Sequence, residues 1–388
     1  MAFDGVDYLD CDSLLTEEQR LIRDTVRGWV EEKVLPIIEE AAWEGRFPKE
    51  LIPEMGAMHL FGATLSDYGL PGLDNVSYGL IMQELERGDS GLRSFVSVQS
   101  ALVMYPIHAY GSKEQKDRWV PALADASAIG CFGLTEPDFG SNPAGMRTSA
   151  RRDGGGWVLN GTKMWITNGG IADVAVVWAR TDDEGVRGFL VPAGTPGFST
   201  RDIGRKLSLR ASVTSELVLE DCRLPADAVL PEVRGMRGPL SCLNEARFGI
   251  IWGSMGAARA CFASALEYAR TREQFDRPIG GFQLTQQKLA DMLVELSKGT
   301  LLALHLGRMK DEGRLAPEQV SLGKLNNVRE ALAIARTART ILGANGVTLE
   351  YPVIRHANNL ESVLTYEGTS EVHSLILGQA VTGLAAFT

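Results

Sequence analysis

The residue best placed by its neighbours to do chemistry is Glu367, in the run Thr365-Tyr366-Glu367-Gly368-Thr369. Apolar-patterned residues, Leu360 to Leu364, precede it, and a helical pattern, Val372 to Ala386, follows. A carboxylate at such a junction can be aimed into a cleft and kept partly dry. Burial disfavours its charged form and raises its pKa, which makes it a better base near neutral pH. The same five residues also fit a surface glutamate ahead of a helix. Arg93 is a second candidate. It follows Gly88-Asp89-Ser90-Gly91-Leu92, a break between helical patterns. A guanidinium there can take a carboxylate with two hydrogen bonds, or pair at the surface with Glu86 or Asp89. The sulfur and imidazole side chains offer less. Cys11, Cys131, Cys222, Cys242 and Cys261 are scattered without a Cys-x-x-Cys, which fits a reducing compartment and argues against zinc. His356 and His373 read as helix-surface or packing residues, and no metal is expected.

The elements that must position these residues fall into three textures. The chain has 388 residues, enough for two or three domains, with 45% apolar and 23% charged residues, as in soluble globular proteins. Residues 1–127 read as an N-terminal helical domain. Thr16-Glu17-Glu18-Gln19 is a capping box, Ile22, Val26, Trp29 and Val30 share one helical face, and Pro36 is expected to stop that run. Further helical patterns run near 48–58, 76–88, 91–104 and 113–125. Residues 128–236 read as a middle β domain. Asp153-Gly154-Gly155-Gly156 separates Met146–Arg152 from Trp157-Val158-Leu159-Asn160, and Val174–Arg180 and Val186–Pro192 flank Asp182-Asp183-Glu184-Gly185. Short strands at such spacing suggest a small barrel or sandwich. The glycines at 154–156 read as a turn, since no strand–glycine–helix context makes them a phosphate loop.

Residues 237–388 are helical in long pieces. Leu289, Met292, Leu293 and Leu296 follow the helical period, as do Val328, Ala331, Leu332 and Ala335. Short turns between long helices make an antiparallel bundle. The class is α+β, mainly α, and clefts between such domains commonly hold cofactors. A net charge of -10, without a dense Lys/Arg run, argues against nucleic acid. Any anionic ligand must be held by a few arginines or by helix N-termini. No apolar run approaches the ~18 residues of a membrane span, and the start, Met1 to Asp7, lacks a signal-peptide pattern.

Five separated motifs then resemble the acyl-CoA dehydrogenase family, in its order and over essentially the whole chain. They are Phe132-Gly133-Leu134-Thr135-Glu136-Pro137-Asp138-Phe139-Gly140-Ser141, Asn160-Gly161-Thr162-Lys163-Met164-Trp165-Ile166-Thr167-Asn168, Arg272-Glu273-Gln274-Phe275, Leu342-Gly343-Ala344-Asn345-Gly346 and Tyr366-Glu367-Gly368-Thr369. The resemblance implies a helical domain, a middle β-barrel and a C-terminal four-helix bundle. It also implies FAD, a homotetramer, an electron-transferring flavoprotein as acceptor, and the bacterial cytoplasm or the mitochondrial matrix. Arg93-Ser94, Ser97-Val98-Gln99-Ser100, Lys206 to Ser212 and Cys242-Leu243-Asn244-Glu245-Ala246-Arg247 narrow it to the branch that oxidises glutaryl-CoA and decarboxylates it to crotonyl-CoA. The alternatives are a non-decarboxylating glutaryl-CoA enzyme, another short-chain enzyme, and a non-catalytic helical scaffold.

Roles carry over residue by residue. Glu367 is implied as the base, with its own N–H and a flavin hydroxyl as the oxyanion site. Ala246 stands where some relatives carry the base, and Glu245 lies one residue off, on another helical face. Arg93 and Ser94 are implied to hold the far carboxylate of the substrate, with Glu86 orienting Arg93. Tyr366 and Glu86 match residues that accompany decarboxylation, whereas Leu92 departs from an expected tyrosine. Ser141, Leu240, Asn244 and Arg247, with Gly368 beside the base, are further substrate positions; Arg247 could instead tie helices together. Phe132, Leu134, Thr135, Gly140 and Ser141, with Trp165, Ile166 and Thr167, are implied to line the flavin ring. Trp165 fits a core strand aromatic equally well. Phe139 and Asn142 are departures near this loop. Arg272, Phe275 and Gln283 resemble residues that reach a neighbouring subunit's FAD. Leu342, Gly343 and Gly346 resemble the turn at its diphosphate, or a helix C-cap. Thr369 and Glu371 are implied to touch the same FAD as Glu367.

Overall fold

In a computed structural model that describes residues 5–386, the expected capping box opens helix α1 (Glu17–Trp29). The Gln19 N–H donates to the Thr16 hydroxyl at 3.2 Å, and the Thr16 N–H donates to the Gln19 side chain at 3.0 Å. Met1–Asp4, where the expected acidic start begins, lie outside the described residues. Pro36 does not stop the run, contrary to expectation. Val30–Val34 form one wide π turn, and the Leu35 N–H reaches back to the Val30 carbonyl. That shift puts Pro36 in the first turn of α2 (Leu35–Glu44), where a missing N–H and a fixed φ cost least. α3 (Ile52–Ala57), α4 (Asn75–Gly88), α5 (Ser90–Ser97), α6 (Tyr105–Tyr110) and α7 (Lys113–Ala124) follow. Asp89 caps α5 by accepting from the Gly91 N–H at 2.7 Å.

A second π segment, Val98–Met104, joins α5 to α6. Its Gln99 donates to the Leu123 and Ala128 carbonyls, both at 2.9 Å, and accepts from the Gly130 N–H at 2.8 Å. One buried amide thereby fastens the helices to strand β1 (Gly130–Gly133). The other strands are β2 (Ser149–Asp153), β3 (Gly156–Thr167), β4 (Val174–Thr181), β5 (Gly185–Pro192), β6 (Phe198–Asp202) and β7 (Thr214–Leu224). They form one curled seven-stranded sheet. β5 pairs β4, β1 and β2 both run parallel to β4, and β3, β7 and β6 complete the ladder antiparallel. β2 starts at Ser149 rather than at Met146. Gly154 and Gly155, at φ 56 and 92, turn the chain into β3.

α8 (Arg237–Thr271) is the spine of the last region. A short hairpin, β8 (Glu273–Gln274) and β9 (Arg277–Pro278), leads to α9 (Gln283–Asp311), α10 (Pro317–Ile341), α11 (Val353–Thr365) and α12 (Ser370–Thr382). α12 ends before the expected Ala386, because Gly383 turns left-handed at φ 73. α8 serves two cores. Its Phe248, Ile251 and Trp252 pack with α4, whereas Ile250, Met255 and Phe262 pack with α9 to α11. Gly256 is required here: a Cβ would overlap the Gln83 carbonyl of α4. A third core lies against the sheet. Among the described residues no helix is long and apolar enough to cross a membrane.

Candidate active site

A cavity of about 1380 Å³ opens where α5, the second π segment, the loop after β1, β3, α8 and the α11–α12 turn meet. It exceeds the ~300–1,000 Å³ of an ordinary small-molecule pocket.

Glu367 sits in its wall. α11 ends at Thr365, Glu367 takes φ 54, Gly368 takes φ 100, and the Thr369 side chain caps α12 by accepting from the Val372 N–H at 3.4 Å. A left-handed glutamate is strained and persists when its surroundings fix it. Here buried cations do so. Lys324 Nζ donates to the Tyr366 carbonyl and, at 2.6 Å, to the Gly368 carbonyl; Arg247 Nε donates to the Glu367 carbonyl at 2.7 Å. Glu367 Oε2 is buried and unpaired. Burial raises the Glu367 pKa, and Arg93, Lys324 and Arg247 pull it back without cancelling the rise. His373 packs behind Gly368, and burial beside Lys324 and Arg247 drives its pKa down to about 3, so it stays neutral.

Arg93 is fully buried at the α5 side of the cavity. Its Nε donates to Glu86 Oε2 at 2.7 Å, and its Nη2 donates to the Tyr366 hydroxyl. Ser90 donates to the other Glu86 oxygen at 2.8 Å, and Ser94 Oγ lies 3.2 Å from the Tyr366 hydroxyl. α8 makes room for this cluster at Gly253, where a Cβ would overlap Glu86 Oε2. Burial opposes the charge on Arg93, but Glu86, Tyr366 and Glu367 outweigh it and keep the guanidinium protonated. The alternative partner, Asp89, is taken by Arg355 and Asn359 of α11. Glu245 is engaged by Lys310, and Ala246 is buried.

Phe132, Leu134, Thr135, Gly140 and Ser141 line the cavity from β1 and the loop after it. Trp165, Ile166 and Thr167 line it from β3. Trp165 is not a core aromatic. The β3–β7 register shifts between Lys163 and Ile166, and Trp165 stands in that bulge at φ 64 with 57% of its surface exposed. Bulges re-aim side chains in this way. Both segments hang on one buried ion pair. Lys163 Nζ donates to Glu136 at 2.8 Å and to the Leu134 carbonyl at 3.1 Å, and Glu136 also accepts from the Arg147 and Thr148 N–H groups. Lys163→Ala leaves Glu136 without its cation and should cost about 3–5 kcal/mol of stability in denaturant unfolding.

Leu240, Asn244 and Arg247 reach the cavity from α8, and Arg247 also donates to Asn244 at 3.2 Å. Gly368 and Thr369 border it beside Glu367. Other residues named from the sequence stand elsewhere. Glu86 lies behind Arg93. Arg272, Phe275 and Gln283 surround the β8–β9 hairpin, with Phe275 at φ 53 and 87% exposed. Leu342 is buried where α10 ends, Gly343 takes φ 60, and a Cβ at Gly346 would overlap the Arg339 carbonyl. Glu371 is exposed in the first turn of α12. Sequence reasoning missed Lys324. Its signal is a lysine on the buried stripe of α10, four residues after Val320 and four before Val328. Leu207 lay inside the run Lys206 to Ser212 without a role of its own, and it lines the cavity. His356 and His373 are buried, which selects packing over the helix surface.

Family models match the chain in three blocks: the acyl-CoA dehydrogenase N-terminal domain over residues 16–127, the middle domain over 131–222 and the C-terminal domain over 233–382. The solved glutaryl-CoA dehydrogenase from Mycobacterium smegmatis superposes with a TM-score of 0.98 at 64% identity, covering 100% of both chains. A second structure of a glutaryl-CoA dehydrogenase from that organism, in complex with FADH2, gives a TM-score of 0.98 at 60% identity, again over 100% of both chains. The human mitochondrial short-chain specific acyl-CoA dehydrogenase is 36% identical over 369 residues, which is 94% of this chain and 90% of that protein.

Proposed function

The chain belongs to the acyl-CoA dehydrogenase family, and on that premise we propose that it is an FAD-dependent glutaryl-CoA dehydrogenase of the decarboxylating type. It takes the C2 proton and a C3 hydride from glutaryl-CoA, releases CO2 and leaves crotonyl-CoA. An electron-transferring flavoprotein receives the electrons. The single observation that carries the acyl specificity is the buried Arg93–Glu86 pair in the cavity wall. An apolar acyl chain gives no reason to bury a guanidinium there, whereas a terminal carboxylate does.

The cavity fits a flavin beside a thioester. Its volume suits two ligands, and Trp165 with the segment 132–141 offers one wall while Glu367 stands in another. When bound, FAD supplies the hydride acceptor that side chains lack. Glu367 takes the C2 proton, and its buried, unpaired Oε2 is ready to accept it. Arg93 and Ser94 orient the far carboxylate until oxidation has created the double bond into which decarboxylation sends its electrons, and the proton that Glu367 took then goes to C4 of the resulting dienolate to give crotonyl-CoA. Ser141, Leu240 and Asn244 contact the CoA arm, while Arg247 holds the base turn. In this reading the domains divide at 127/128 and 236/237. The chain works as a homotetramer in a reducing compartment such as the bacterial cytoplasm, where Arg272, Phe275 and Gln283 reach a neighbour's FAD. The 87% exposure of Phe275 on left-handed backbone supports a partner there.

The test is product analysis. Purified protein should be yellow and, without oxygen but with a dye acceptor, convert glutaryl-CoA to crotonyl-CoA and CO2. Glutaconyl-CoA as the end product would replace the decarboxylating reading. Faster turnover of butyryl-CoA than of glutaryl-CoA would move the chain to the short-chain enzymes. Folded protein that takes up no FAD would end the proposal.

A further inference from the structure

A buried lysine ties the base to the middle of α10. Lys324 comes from α10, and its ammonium reaches the carbonyls on both sides of Glu367. Its helix is anchored next door. Asn327 Nδ2 donates to the Ile251 carbonyl of α8 at 2.9 Å and to the Gly299 carbonyl of α9 at 3.0 Å. The ammonium also lies 5.9 Å from the centre of the Tyr366 ring, within cation–π range. Gly368 adds no side chain to the turn, since a Cβ there would stand 2.9 Å from His373 Nε2.

We propose that Lys324 is the positioning residue of the base: by bridging the Tyr366 and Gly368 carbonyls it locks Glu367 in the left-handed conformation that sets its carboxylate in the cavity wall. The proposal rests on Glu367 being the base, and it deepens that reading. A turn freed at two carbonyls relaxes toward ordinary backbone, and a carboxylate displaced by about 1 Å loses on the order of 100-fold in rate. The charge of Lys324 has a separate consequence. The groups facing it are Glu367 and Tyr366 from the turn, Arg247 from α8, Arg93 from α5 and His373 from α12. Burial lowers the Lys324 pKa to about 7, and Glu367 opposes that fall. In its charged form Lys324 lowers the pKa of Glu367. Removing it therefore raises the Glu367 pKa and moves the acid limb of kcat/KM to higher pH.

The experiment compares flavin-loaded wild type, Lys324→Met, Lys324→Gln, Glu367→Gln and the Lys324→Met/Glu367→Gln double variant. Lys324→Met should lose about 100-fold in kcat and keep KM for glutaryl-CoA within about threefold. Its acid limb should rise by about one pH unit. Lys324→Gln, which retains an amide donor without charge, should recover part of kcat and show the same limb shift. The double variant should be no slower than Glu367→Gln alone. If Lys324→Met does not fold, the Gln variant decides by the same two readings. A folded Lys324 variant with wild-type kcat and acid limb, beside an inactive Glu367→Gln, overturns the positioning role and leaves the base intact. Loss of thermal stability alone, with kcat and limb unchanged, overturns it too. Near-normal turnover by Glu367→Gln overturns the base reading instead.

Discussion

Glu367→Gln is expected to fold, to take up FAD and to turn over glutaryl-CoA about 10⁴-fold more slowly than the parent. The amide fills the same space but cannot accept the C2 proton. Near-normal turnover in a steady-state dye assay would exclude Glu367 as the base. The pH dependence of the parent follows from the same residue. Burial raises its pKa above the ordinary carboxylate range. The base must be ionised to act, so kcat/KM falls as pH drops through that raised value, and the acid limb lies above an ordinary glutamate's. Stability runs the other way. An acid whose folded-state pKa is raised adds stability below its unfolded pKa and loses that contribution as pH climbs through the folded value. The neutral amide escapes the loss. At pH 7 the variant should melt at the same temperature as the parent or higher, a trade of stability for activity seen at many active sites. A drop of several degrees would show that the attraction of Arg93, Lys324 and Arg247 outweighs burial.

Apart from the family resemblance, which gave the order of the domains, what could be read from the residues was local. The Thr16–Gln19 box joins groups three residues apart, so its pattern determined its geometry. Pro36 also looks local, yet its effect depends on the π turn at Val30–Val34, which no composition rule announces. Trp165 illustrates the limit in a strand. Period-two alternation leaves its face open, because the register is set by β7, and a bulge there turned it outward. The residues alone left the pairing of Arg93 open between Glu86 and Asp89, while the family resemblance implied Glu86, which the structure shows. The physical reason lies in α11, whose Arg355 and Asn359 occupy Asp89 although they lie far along the chain. Glu367 was legible as a candidate from its neighbours and from a family motif. Its turn was not legible, since Lys324 and Arg247, the cations that hold it, come from α10 and α8.

Arg93→Ala is expected to lower kcat/KM for glutaryl-CoA by roughly 10²–10³-fold and for butyryl-CoA by no more than about 10-fold. The asymmetry is electrostatic. A terminal carboxylate brought to this buried wall needs a cation, and Arg93 keeps its charge because Glu86 holds it at 2.7 Å. A methyl group needs none. Equal losses on the two substrates would remove the specificity role and leave Arg93 as a structural partner of Tyr366. Glu86 complicates the single variant. Stripped of its guanidinium it is a buried carboxylate held by Ser90, and it would both destabilise the fold and repel the substrate. Adding Glu86→Gln separates the effects. The double variant should recover stability in denaturant unfolding, because no unpaired charge remains. Its discrimination should stay near that of an enzyme without a cation in this wall, since binding a dicarboxylate requires the positive charge and not merely the absence of a negative one. If the double variant instead regains most of the glutaryl-CoA activity, the loss in Arg93→Ala came from Glu86, and the carboxylate of the substrate is held elsewhere in the cavity.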